Sequence, residues 1–236
     1  MGVAGEFAWP DGARAALSLT FDGGYPEHYE LVAPLLHDAG LRGTFFVNVP
    51  SLLENPEAWK QVVMQGQEIG SHSLFGVTTN GELRSWTLDM VRDDLRMTDK
   101  GIVELVGCPV TSFALAGEST LCSDGDYSAI LQRQFSSVRS ATSGQNPADS
   151  VDLFHVQSHF WQDLVGPIEA YLPVAGSWSV VVFDRFFGPG FDTAEEDLRI
   201  LIARLSAAKD IWVAPFGEVA EYIANARGTL QGVTSA

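Results

Sequence analysis

Two stretches of this chain place the residue types of a hydrolytic site at the ends of apolar segments. In Leu17-Ser18-Leu19-Thr20-Phe21-Asp22-Gly23-Gly24 an apolar run ends in a carboxylate, then two glycines. In Glu68-Ile69-Gly70-Ser71-His72-Ser73-Leu74-Phe75-Gly76 a histidine stands where a short strand should end. A carboxylate so placed can be a general base, a metal ligand, or the polar residue that starts a turn; Asp before Gly-Gly suits turns well. A histidine there can ligate a metal or serve as a hydrogen-bonded structural residue. Three further strand ends carry charge: Ala116 with Glu118 just beyond, Arg139, and Asp184 with Arg185. Asp184 follows a wholly apolar run and reads either as an acid–base group or as a strand-ending residue paired with Arg185 or Arg139. Ser73, Arg139, Arg185 and Phe186, the last opening the turn-rich Phe186-Phe187-Gly188-Pro189-Gly190, are candidates to line a binding cleft. His28, His37, His155 and His159 show no ligand spacing, and His28 and His37 read as helix-face residues. Trp86, Trp161 and Trp178 read as core.

The elements that must position these residues alternate between strand and helix patterns. Ala15 to Phe21 is predicted as a strand. His28 to Ala39 has Leu31, Val32, Leu35 and Leu36 at helical spacing, closed by Gly40. Gly43 to Val49 reads as a buried strand. Asn55-Pro56 caps and opens a helix with Trp59, Val62 and Val63 inward. Glu68 to Ser71 is a short strand, Thr87 to Val106 a long helix, and Val110 to Ala116 a strand. Tyr127 to Gln134 is a helix, Ser136 to Arg139 a strand, and 140–149 a loop. Asp152 to Val156 is a candidate short strand, and Trp178 to Phe183 a buried one. Thr193 and Glu196 form a capping box before another helix. Ile211 to Pro215 is the last strand and Gly217 to Ala226 the last helix. Apolar strands alternating with helices imply a parallel sheet covered by helices, with about seven strands. Barrels and open doubly wound sheets of this kind both place function at the carboxyl ends of their strands.

The bulk numbers restrict partners. The chain has 236 residues, 46% hydrophobic, enough for one large α/β domain. Its formal net charge of −16 opposes phosphate backbones and anionic membranes. A small molecule or a neutral or cationic glycan suits it better, and self-association into a homo-oligomer stays open. The two cysteines, Cys108 and Cys122, suggest neither a disulfide framework nor a zinc knuckle. No run is long and apolar enough to span a membrane. The first residues carry neither a basic nor an apolar leader region, so a cytoplasmic location is the expectation, or a secreted one if a leader has been removed.

Four segments in order resemble one family. They are Leu17-Ser18-Leu19-Thr20-Phe21-Asp22, Gly43-Thr44-Phe45-Phe46-Val47, Gly66-Gln67-Glu68-Ile69-Gly70-Ser71-His72-Ser73 and Ile211-Trp212-Val213-Ala214-Pro215-Phe216-Gly217-Glu218-Val219. The set is similar to the polysaccharide deacetylases, carbohydrate esterase family 4, with its NodB-homology domain. The resemblance implies an α/β fold, a distorted (β/α)7 barrel spanning residues 15–228. Residues 1–14 would be an N-terminal extension and 229–236 a tail. It also implies removal of acetyl groups from sugars by metal-activated water, with an Asp as base and a His as acid. Asp22 matches the proposed base, and His72 the first metal-binding histidine. Gly23 stands where a ligand Asp is expected, and Gly76 where the second ligand His is expected. Phe113-Ala114-Leu115-Ala116-Gly117-Glu118 lacks the Arg and Pro of the third motif, and Asp184 stands in place of the general-acid histidine.

A catalytic zinc-type site needs about three protein ligands and an open position. Three readings follow. The cleft binds a sugar or a partner without standard deacetylation and without a cofactor. Or Asp22, Glu118 and Asp184 supply acid and base without a metal, as paired carboxylates do in glycosidases; the resemblance also takes in metal-independent relatives acting on cyclic ureides, so loss of metal need not mean loss of activity. Or His72, Asp22, Asp184 and Glu118 rebuild a divalent-metal site. The expectation is the first.

Overall fold

A computed structural model describes residues 7–74, 83–161, 172–183 and 195–228. The centre of the molecule is β1 (Ala15–Asp22), every residue of which is buried. It is followed by a π-helical turn (His28–Val32) running into α1 (Ala33–Asp38). Then come β2 (Thr44–Val47), α2 (Val49–Glu54), α3 (Pro56–Met64) and β3 (Glu68–Ser71). Next are α4 (Leu88–Val106), β4 (Ser112–Ala114), a small hairpin of β5 (Leu121–Cys122) and β6 (Gly125–Asp126), α5 (Ser128–Gln134) and β7 (Ser137–Arg139). The chain continues through β8 (Asn146–Pro147), β9 (His159–Phe160), β10 (Ser177–Phe183), α6 (Glu195–Ala207), β11 (Ile211–Val213) and α7 (Phe216–Ala226). None of the described helices is long and apolar enough to cross a membrane.

The main sheet runs β7-β4-β3-β2-β1-β10-β8, parallel except for the β10–β8 pair. It curls until its edges meet. Arg139, at the end of β7, bridges in parallel to Val156, and His159 of β9 pairs with Val181 of β10. The segment 156–160 therefore touches both edges. The curl is irregular at β1, whose second flank is shared: β2 pairs with Thr20–Asp22, β11 with Ala15–Leu17. This is the distorted NodB-type (β/α) barrel.

Strand alternation sorts the side chains. Leu17, Leu19 and Phe21 point outward and pack with Phe45, Val47 and Ile69 against Leu36, Trp59, Ile102 and Leu198 of the helices. Ser18, Thr20 and Asp22 alternate with them and point into the barrel, where Phe46, Ala114, Trp178, Val180 and Phe216 form a second cluster. Helix ends follow local chemistry: Asn55 Oδ1 accepts from Ala58 N at 3.2 Å to open α3, and Thr87 Oγ1 from Met90 N at 3.3 Å to open α4.

At the amino end of the barrel Glu68 ties three segments together. Its carboxylate accepts from Thr44 Oγ1 at 2.7 Å, Ser112 Oγ at 2.6 Å and Gly217 N at 2.9 Å. Burial pushes its pKa up, while these donors pull against that.

Several elements differ from the sequence pattern. The strand predicted to reach Val49 stops at Val47, because Asn48 Oδ1 accepts from Ser51 N at 3.0 Å and caps α2 with Pro50 in its first turn. The pattern 152–156 is a turn with one bridge at Val156, and the loop 140–149 holds the two-residue β8. Thr193 of the capping box lies outside the described residues.

Gly70 is required by packing. A Cβ there would lie 2.5 Å from the Phe46 ring and 2.8 Å from Ser112 Oγ. Gly70→Ala should therefore destabilise the fold by about 1–3 kcal/mol, the usual range for overpacking, as read by urea unfolding. An unchanged midpoint would contradict this packing.

Candidate functional site

Asp22 and Arg139 meet inside the barrel. Asp22 ends β1 and Arg139 ends β7, and both side chains are buried, at 8% and 0% exposure. Arg139 donates from Nη1 to Asp22 Oδ1 at 2.8 Å and from Nη2 to Oδ2 at 2.5 Å. Nη1 also donates to Thr20 Oγ1 at 2.9 Å. This is a two-pronged guanidinium–carboxylate pair, the strongest geometry of its kind. The buried guanidinium lies over Phe46, 5.0 Å from the ring centroid, a cation–π contact. Burial acts to raise the Asp22 pKa, but Arg139 and then His72 outweigh it and hold it below the usual carboxylate range.

His72 follows β3. Its Nδ1 lies 2.9 Å from the Ala114 carbonyl oxygen. A carbonyl can only accept, so Nδ1 carries a proton and donates it to this bond. Beyond it the backbone turns sharply: Ser73 is buried with φ +63°, a left-handed conformation that is uncommon for a non-glycine residue. Leu74 N then donates to both oxygens of Asp94 on α4, at 3.1 and 3.2 Å. Asp94 is nearly sealed in, and burial pushes its pKa up to about 6 against that hydrogen bond. Asp94 also borders a small cavity of about 20 Å³ with Ser73, Trp86, Phe113 and Tyr127.

The turn after Asp22 is held from several sides. Gly23 N donates to Phe46 O at 2.9 Å, and Gly23 O accepts from Asn48 Nδ2 at 3.2 Å and Ser51 Oγ at 2.7 Å. His28 is fully buried, not on an open helix face, with its ring 5.9 Å from Phe21, 5.5 Å from Tyr25 and 5.8 Å from Phe45.

The structure thus brings together Asp22, Arg139, His72 and Ser73. Glu118 is exposed in the loop after β4, and none of its hydrogen bonds among the described residues reaches Asp22, His72 or Arg139. Asp184, Arg185, Phe186 and Gly76 lie outside the described residues. Arg139 takes Asp22 as its partner, where the sequence pattern offered Asp184. Asp94, His28 and Tyr25 are additions; only a buried acid on the apolar face of the long helix could have signalled the first.

These residues do not make up a zinc-type ligand set. Among the described residues no group of three His, Cys, Asp or Glu is placed to hold a metal ion. Both oxygens of Asp22 face a guanidinium, and a second cation there would meet its repulsion.

Residues 10–121 match the family model described as polysaccharide deacetylase. Among curated proteins, a gellan lyase from a Bacillus species is 26% identical over 152 residues. That stretch is 64% of this chain but only 6% of the lyase. Solved structures extend the likeness to nearly the whole chain. A protein described as a polysaccharide deacetylase from Mycobacterium smegmatis superposes with a TM-score of 0.67 at 18% identity, over 99% of this chain and 98% of its own. An allantoinase gives 0.70 at 12%, over 94% of each. A mutant of a Bacillus anthracis carbohydrate esterase family 4 pseudoenzyme, with enzymatic activity restored, gives 0.60 at 16%, over 89% of this chain and 68% of its own. At these identities the structures share the fold.

Two consequences of the site geometry can be measured. Arg139→Met strands a buried carboxylate and should destabilise the protein by about 3–5 kcal/mol, while Asp22→Asn combined with Arg139→Met should lose much less. Urea unfolding of the four proteins reads this; additive losses would contradict the pairing. Asp94 sets a pH dependence. Its folded pKa, about 6, lies above the ordinary 3.8, so the folded state holds the proton more tightly. Its contribution favours folding below the ordinary value and is lost as pH rises through about 6. Asp99 is shifted in the same direction. Wild type should thus gain thermal stability between pH 7 and pH 5, and Asp94→Asn should gain less. Coincident profiles would contradict it.

Proposed function

We propose that this chain, whose residues 10–121 match the polysaccharide deacetylase family model, binds a carbohydrate at its strand-end cleft and lacks standard metal-dependent deacetylation. The observation that carries the reading is the two-pronged pairing of Asp22 with Arg139. A general base must offer a lone pair to water and must gain basicity from its surroundings. Asp22 instead faces a fixed cation, and its proton affinity is lowered. His72 has no set of partner ligands around it among the described residues.

What remains suits recognition. An imidazole ring, a hydroxyl at Ser73 and the backbone of a tight turn can bond sugar hydroxyls, which both donate and accept. The net charge of −16 favours a neutral or cationic saccharide over an acidic one. The family match and the polysaccharide-directed relatives support the ligand class.

The test is incubation with acetylated neutral oligosaccharides, with and without zinc, following acetate release and saturation-transfer signals from the sugar. The expected result is saturation transfer that weakens in His72→Ala, with acetate release at the blank level. Zinc-stimulated acetate release that vanishes in His72→Ala would overturn the proposal.

A further inference from the structure

The place where the family motif carries a second carboxylate is closed by the chain itself. Gly23 has φ +94°, a conformation that side chains rarely adopt. A Cβ built there would lie 2.7 Å from Tyr25 Cε2, 3.0 Å from Cζ and 3.2 Å from the phenol oxygen. Real Cβ atoms do not approach ring carbons so closely, so either the ring or the backbone would have to move.

Neither moves easily. The peptide groups flanking Gly23 are fixed by the bonds to Phe46 O, Asn48 Nδ2 and Ser51 Oγ. The next residue is confined as well: a Cβ on Gly24, at φ +74°, would lie 2.9 Å from Ser51 Cβ. The Tyr25 ring stands edge-on to His28 at 5.5 Å, and His28 N donates to Tyr25 O at 2.9 Å. His28 in turn is wedged against Phe21 and Phe45.

We infer that the Tyr25 ring occupies the seat of a residue-23 side chain, so that no carboxylate can stand at position 23 while the ring is in place. The corner beside Asp22 is then walled by a phenol instead of standing ready for a cation ligand. This rests on the reading of the cleft as one without standard metal-dependent deacetylation, and it gives that reading a steric cause. It also means that the motif cannot be restored by replacing Gly23 alone.

The experiment is a double-mutant cycle of Gly23→Asp and Tyr25→Leu. Leucine keeps the inner part of the side chain and removes the far ring edge that a Cβ would strike. Urea midpoints are measured, and melting temperatures are taken with and without zinc. Gly23→Asp alone is expected to lower the midpoint strongly, or to prevent folding, and to show no zinc-dependent rise in melting temperature. In the Tyr25→Leu background the same replacement is expected to fold and to lose less than half as much. If Tyr25→Leu itself fails to fold, Tyr25→Ala replaces it in the cycle. Three results would overturn the inference: Gly23→Asp folding like wild type, Gly23→Asp gaining zinc-dependent stability, or an equal loss with and without the ring. The readout is stability, so its failure is separate from a failure of saccharide binding.

Discussion

A buried ion pair spanning the barrel organises everything around it. Arg139 and Asp22 are 117 positions apart in sequence and come from strands that are not neighbours in the sheet. Removing both charges from water is costly, and their attraction offsets that loss only in good geometry with the remaining donors engaged. The barrel supplies much of that geometry. Gly70 leaves room for the Phe46 ring, Phe46 provides a face for the guanidinium, and Thr20 takes one further hydrogen. Arg139 Nε finds no partner among the described residues. Such a pair contributes less to stability than its distances suggest, but it penalises any arrangement that leaves one member alone. It thereby fixes which residues stand at the carboxyl ends of β1 and β7.

Two acids at opposite ends of the same barrel show how the partner decides the chemistry. Burial is the largest single influence on both Asp22 and Glu68, and it acts upward on each. Asp22 is met by a guanidinium and a histidine, and its proton affinity falls below the ordinary value. Glu68 is met by two hydroxyls and a backbone N–H, all neutral, and its proton affinity rises. Neutral donors stabilise a carboxylate but do not cancel its charge. The amino-end acid therefore ties strands together, while the carboxyl-end acid is held as the charged partner of a guanidinium.

Much of this was legible in the chain. β1 and β10 are apolar runs ended by charge, and α3 and α4 announce themselves by Asn55 with Pro56 and by Thr87. Asp22 and His72 are marked by strand-end position, and the structure places them within electrostatic reach of each other. What was hidden depends on contacts distant in sequence. Arg139 gives no local sign that its partner is Asp22. His28 lies in a π-helical turn whose extra residue per turn breaks the 3.6 period, so it rotates from an apparent helix face into the core. Val49 is a strand former in a strand-like run, yet Asn48 and Pro50 claim it for a helix. Asp94 is a charged residue on an apolar face, and only the turn at Ser73 explains it.

These contacts bear on how a site of this kind departs from its motif. If only side chains had been exchanged at Gly23, the surrounding backbone would still suit an L-residue there. It does not. The turn sits at a left-handed φ, its carbonyl is held by two side chains of another segment, and a tyrosine two residues on fills the adjoining space. Arg139 likewise comes from β7, whereas the family pattern expects an arginine after β4, where Leu115, Ala116 and Gly117 stand. Backbone, aromatic packing and charge pairing agree with one another at this strand end, and agreement across levels is the mark of a specified structure. A merely vacated site would leave unsatisfied groups and open space where ligands had been. Around Asp22 the carboxylate oxygens are engaged, and the space beside Gly23 is taken.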